Sequence, residues 1–147
     1  MSPEAARSGQ TLGLGNSLLG ILIGIGMAIA RRKSDRVRQI YSWLVDNFPT
    51  PYPTRLVARK PRTKPEKQLQ GWVIKDGRHL VIHLNMNLPR YVLIDTLIHE
   101  MAHCVTWGHQ SMADYTPEHS DEWGIHYAKI YRAYMDEGGV KESGTYK

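Results

Sequence analysis

Apolar residues recur along this chain in three rhythms. From Leu12 to Ala30 (LGLGNSLLGILIGIGMAIA) they are nearly continuous, nineteen residues without a charge. At about 1.5 Å rise per residue such a stretch just spans a hydrocarbon core of about 30 Å. It reads as a single membrane helix. Arg31, Arg32, Lys33, Arg36 and Arg38 follow it, against Arg7 alone before it, so the positive-inside rule leaves the rest of the chain in the cytoplasm. Gly20 and Gly24 have the spacing that lets two such helices pack closely. Two other readings stay open. Ala28-Ile29-Ala30 resembles a signal cleavage site, although signals carry their positive charge ahead of the apolar core. Five glycines also suit an unstructured extension.

The second rhythm is helical. Val37, Ile40, Tyr41, Leu44, Val45 and Phe48 recur every three or four residues, predicting an amphipathic helix over Ser34–Phe48 with Ser34 as N-cap and Pro49, Pro51 and Pro53 ending it. A further helix is expected from Pro89 to about Trp107, with Leu93, Leu97, Met101 and Cys104 as its core stripe. The last should open with Thr116 as N-cap and Pro117 first, holding Glu118 and His119 in its first turn. Trp123, Tyr127, Ile130, Tyr131 and Tyr134 would line its inner face.

The third rhythm alternates. Arg55–Arg59, Gly71–Lys75 and His79–Leu84 read as strands, with Asp76-Gly77 a hairpin signal between the last two. Leu80, Ile82 and Leu84 alternate with Val81, His83 and Asn85, so one face should be buried. The expected class is α+β, with an N-terminal helix, a three-stranded antiparallel-type sheet, a central helix and a closing C-terminal helix.

Composition narrows this. The 147 residues are 41% hydrophobic and 22% charged, ordinary for one globular domain and unlike a disordered or multi-span chain. One cysteine, Cys104, excludes an intramolecular disulfide and a Cys-rich zinc ribbon. The net charge of +5 is unevenly placed: residues 1–67 hold 12 Lys/Arg and 4 Asp/Glu, residues 68–147 hold 7 and 10. The basic half includes the Pro-broken loop Lys60–Lys67, where phosphate contact with DNA, contact with anionic lipid and plain solvation all remain open.

The chemistry sits in the acidic half. His99-Glu100-Met101-Ala102-His103 lies within the predicted central helix, so two imidazoles four residues apart project from one face and can share a zinc ion. Glu100 beside them can serve as general base toward water. A catalytic zinc takes three protein ligands. His119 is the favoured third, with His109 and a carboxylate (Glu118 or Glu122) as alternatives. His109 completes a metzincin-like spacing, but Thr106 stands where that pattern needs Gly. His79, His83 and His126 read as structural histidines and Cys104 as core. Tyr115 and Tyr127 read as packing residues, with oxyanion donation the other possibility.

Gly71-Trp72-Val73, the strand Leu80–Leu84, Asp95-Thr-Leu-Ile-His-Glu-Met-Ala-His103 and His119-Ser-Asp-Glu-Trp123 together resemble the SprT-like (Spartan-type) metalloprotease domain. Ser120 stands where that family usually has Gly. The resemblance covers about residues 34–136, leaving 1–33 as an apolar segment with a basic flank and 137–147 as a polar tail. It implies a zincin-like fold, zinc ligands His99, His103 and His119, and Glu100 as catalytic acid/base. It also implies that the strand ending near Asn85 borders a cleft where an extended peptide substrate adds as a further strand. Many members act on proteins crosslinked to DNA and carry a zinc ribbon, which this chain cannot form. The expected activity is hydrolysis of peptide bonds in a protein or peptide substrate. The competing expectation is a non-catalytic protein in which zinc clamps two helices and the basic N-terminal half binds membrane or nucleic acid.

Overall fold

A computed structural model describes residues 15–108 and 119–137, with side chains from Leu19 onward. Arg7, Leu12 to Leu14, His109, Tyr115, Thr116, Pro117, Glu118 and the tail from Gly138 lie outside the described residues. The chain divides into two compact units, one ending at Arg32 and the other starting at Lys33.

Helix α1 runs Gly15–Asn47, nineteen residues longer at its start than the amphipathic pattern predicts. Ser34 is therefore a mid-helix residue and not an N-cap. The physical reason is local: Arg31, Arg32 and Lys33 are good helix formers, and no Pro or Gly separates them from Ala30. In the first unit, the large apolar residues of α1 from Leu19 to Ile29 are exposed. Among the described residues no helix is long and apolar enough to cross a membrane.

The second unit is α+β. It contains the rest of α1, strands β1 (Thr54–Arg59), β2 (Gly71–Asp76) and β3 (His79–Asn85), and helices α2 (Arg90–Val105) and α3 (Asp121–Asp136). The strands match their predicted spans to within a residue at either end. Their pairing does not. The sheet order is β1-β3-β2, with β3 antiparallel to β2 and parallel to β1, so the sheet is mixed. The cause lies in the two connections. Gly77, at φ +55°, opens a two-residue turn that folds β3 straight back on β2. The link from β1 to β2, residues 60–70, is too long for a tight hairpin, so β2 takes a position one strand away and β3 fills the gap. A parallel pair needs a long connection of this kind.

That link is itself ordered. It includes one turn of 3₁₀ helix at Glu66–Gln68. Arg59 donates two hydrogen bonds of 3.0 Å to the Glu66 carboxylate, which also accepts from the backbone N–H of Arg62 at 2.8 Å. The Arg59 guanidinium and these amides hold the Glu66 carboxyl down at about 2.

As the central strand, β3 is covered on both faces. Leu80, Ile82 and Leu84 join Val37, Ile40 and Leu44 of α1, Leu93, Leu97, Ile98 and Met101 of α2, and Ile130 of α3 in one core. Val81 and Asn85 on the other face are buried too. There Trp72 stacks flat on His83, centroids 4.6 Å apart. Burial shifts the His83 imidazole below its usual pKa, and its two ring nitrogens are enclosed without a hydrogen-bond partner, so it is a packing residue.

Candidate metal centre

Two helices and one strand assemble the site. Helix α2 starts after Pro89 and lies across β3 and β2 with its apolar stripe inward. Its other side carries Asp95, His99 and His103 at four-residue intervals, one vertical row on a helix. Helix α3 opens differently from expectation. Ser120 is its N-cap, accepting a 3.2 Å hydrogen bond from the Trp123 backbone N–H, with Asp121 and Glu122 in the first turn. His119 therefore precedes the helix. A hydroxyl cap followed by two acidic residues is a strong helix start, because both oppose the positive end of the helix dipole. It also gives Ser120 a local role in this chain.

From His119 the four-residue spacing continues through Trp123 to Tyr127, and this row faces the row on α2 in the opposite direction. Tyr127 meets Asp95, its Oη donating to Oδ1 at 2.7 Å. Trp123 packs on His99 at 4.7 Å between centroids, and on His103 and His119 at 5.3 and 4.2 Å. Tyr127 stacks on Trp123 at 5.0 Å. The result is two tiers: Asp95 with Tyr127, and Trp123 with His99, His103 and His119 around it.

The three imidazoles converge. His99 Nε2 lies 3.3 Å from His103 Nε2 and 3.1 Å from His119 Nε2, and the three ligand atoms fall within 4.8 Å of one another. Burial, then the neighbouring His99 and His119, lower the His103 pKa to about 4, so His103 is neutral with a lone pair to give. The cluster can hold a metal ion. Nitrogens each about 2.0–2.1 Å from one tetrahedral centre stand about 3.3–3.4 Å apart. The His99–His103 and His99–His119 separations lie close to that spacing, and the His103–His119 pair lies within 4.8 Å. Three imidazole nitrogens turned toward one point satisfy one another poorly by hydrogen bonds and satisfy a shared cation well.

Glu100 stands between His99 and His103 on α2 and is 6% exposed. It packs beneath the start of β2. A Cβ added at Gly71 would lie 3.2 Å from Glu100 Cγ, 2.7 Å from Thr96 Cγ2 and 3.0 Å from the His83 carbonyl oxygen. Only a residue without a side chain lets strand and helix come this close. A shallow, mainly apolar depression of about 500 Å³ adjoins the tiers, lined by Asp95, Tyr127, Ala128, Tyr131 and Arg132.

His99, His103 and His119 are thus brought together as expected from the motif. Glu122 is exposed and stands outside the cluster, as does the half-buried His126. His109 and Glu118 lie outside the described residues. Cys104 is buried in the core, and burial raises its thiol pKa to about 12. Tyr127 spends its hydroxyl on Asp95, which fits the packing role; burial and that bond raise its pKa to about 12. Tyr131, expected on the inner face, is exposed. The strand ending at Asn85 is also corrected: β3 is hydrogen-bonded along both edges and cannot accept a further strand. The open edge nearest Glu100 belongs to β2. Two residues that the sequence placed in motifs were given no role there. Asp95 carried a signal, its place one turn before His99; Gly71 carried a weaker one, a glycine opening a strand.

Tyr127→Phe should loosen the Asp95–Tyr127 tier without disturbing the fold. Losing a hydrogen bond to a carboxylate costs about 1.5 kcal/mol, less where solvent reaches it. Divalent-metal affinity, measured by competition with a chromophoric chelator, should fall several-fold, up to about tenfold. Unchanged affinity would show that the Asp95–Tyr127 contact does not hold α3 in place.

No family model, curated protein or solved structure matches this chain.

Proposed function

We propose that the chain is a zinc-dependent metallopeptidase with a zincin-like site of the SprT-like type. The observation that carries this reading is the convergence of three histidine Nε2 atoms, two one turn apart on α2 and one just before the start of α3, with a buried carboxylate between the first two. His99, His103 and His119 would hold the ion. An all-imidazole set of three favours zinc over calcium or magnesium, which prefer oxygen. Bound there, zinc supplies a Lewis acid that polarises a carbonyl and brings the pKa of water toward neutrality.

The chain's own residues supply the rest. Glu100 accepts the proton of the attacking water on its carboxylate and returns it to the leaving amine. Its burial beneath β2 limits the directions from which water reaches it. Trp123 holds the three imidazoles in place by packing on each ring. The exposed edge of β2 runs past Gly71 above Glu100 and suits an extended peptide, whose backbone would pair with it as a fourth strand. Burying a peptide bond beside Glu100 in this way gives hydrolysis its register.

Purified full-length protein should contain about one zinc per chain and should cleave an unfolded protein such as casein. A chelator should remove both the metal and the activity, and zinc should restore both. A chain that holds zinc and shows no hydrolysis across unfolded proteins and peptides would overturn the peptidase reading. A chain that binds no zinc would overturn the centre itself.

A further inference from the structure

Helix α1 exposes Leu19, Ile21, Leu22, Ile23, Ile25, Met27 and Ile29, each between 52% and 69%. Single exposed apolar residues are ordinary, but seven within eleven positions form a patch that water-exposed surfaces rarely carry. At about 100° per residue these positions cover about two thirds of the helix circumference, and the small residues Gly20, Gly24 and Ala28 fill the remaining sector. A groove on another protein covers one side of a helix and leaves the remainder in water. An acyl layer surrounds it. Cβ atoms built at Gly20, Gly24 and Gly26 meet nothing within 4 Å among the described residues.

Charge identifies which apolar layer. Leu19 to Ala30 contains no ionisable residue, and Arg31 and Arg32 follow directly, both exposed. Lys33 donates to the Met86 carbonyl at 2.8 Å and is left out of the count. Helix α1 continues unbroken from Ala30 into Arg31 and Arg32, so burying this apolar stretch in an acyl layer brings two guanidinium groups to the depth of the lipid phosphates at its edge. We propose that residues 19–30 bury in the acyl layer of an anionic bilayer, with Arg31 and Arg32 against the lipid phosphates. The proposal is independent of the metal centre.

The test is flotation of the full-length chain with two kinds of vesicle, phosphatidylcholine alone and a mixture with about a third phosphatidylglycerol. The chain should float with the anionic vesicles and far less with the neutral ones. The double variant Ile21→Glu/Ile25→Glu should lose flotation by tenfold or more, while metal content and circular dichroism report an intact second unit. Arg31→Gln/Arg32→Gln should weaken binding to anionic vesicles by about tenfold or more, since each basic residue near such a surface adds roughly fivefold, and should leave the weak neutral binding unchanged. Equal flotation with both vesicle types, or flotation that survives the glutamate substitutions, would overturn the proposal. So would a chain that ignores vesicles and elutes as a dimer that Ile21→Glu separates, because a second copy would then be the occupant.

Discussion

Glu100→Gln should leave the chain folded and loaded with metal, while kcat for peptide hydrolysis falls by about three orders of magnitude, within the 10²–10⁴ range of a lost general base. The substitution keeps size, shape and helix propensity at a site that is 6% exposed, so packing against Thr96 and Gly71 persists. What disappears is the capacity to accept a proton, since a carboxamide is not a base near neutral pH. The three nitrogens that would hold zinc are untouched. The loss should therefore appear in kcat, with KM nearly constant and metal stoichiometry unchanged. Undiminished hydrolysis would sink the mechanism. The competing picture, an ion that only clamps α2 to α3, predicts that His99→Ala unfolds the domain and Glu100→Gln has no effect. One pair of variants separates the two.

Gly71→Ala should have the second largest effect, at a residue with no chemistry of its own. The new methyl would stand 2.7 Å from Thr96 Cγ2 and 3.0 Å from the His83 carbonyl oxygen. Neither can yield cheaply: Thr96 is buried in α2, and the carbonyl belongs to the central strand. Strand and helix must separate by several tenths of an ångström, at a cost of about 1–3 kcal/mol in stability. The same displacement moves Glu100, whose Cγ would sit 3.2 Å from the methyl. Small misplacements of a reacting group cost up to about a hundredfold in rate. We expect a lowered urea midpoint together with a 10–100-fold fall in kcat and retained zinc. Wild-type turnover with a shifted midpoint would mean that Gly71 serves packing alone.

Much of this arrangement is legible in the residues themselves. Four-residue spacing on a helix is a local property, so His99 and His103 could be paired before any fold was known, and alternation along residues 79–85 marked a buried strand. The hairpin at Gly77 is equally local. What escaped is what depends on distant partners. The order β1-β3-β2 follows from where an eleven-residue link lands, and no side chain in β1 announces a parallel neighbour. Val81 and Asn85 are buried as well, in a strand flanked by a neighbour on each edge, which the alternation alone does not reveal. The start of α3 was expected at Thr116, where a hydroxyl precedes a proline, and the helix instead takes Ser120 as its cap. In α1, the helix-forming run through Arg31–Lys33 erased the boundary that Ser34 suggested. The facing rows Asp95-His99-His103 and His119-Trp123-Tyr127 each obey a simple period, yet their alignment tier by tier is a tertiary fact.

Because two of the histidines lie on α2 and the third lies just before α3, an ion held by all three would also be a covalent-like staple across the chain. It would close a loop between His103 and His119 that a chain with one cysteine has no disulfide to close. Cross-links of this kind act largely by shrinking the unfolded ensemble, and they gain more as the loop lengthens. Stability would then rise with the logarithm of free metal concentration above its dissociation constant. The same ligands would couple the melting temperature of the fold to the zinc supply of its surroundings.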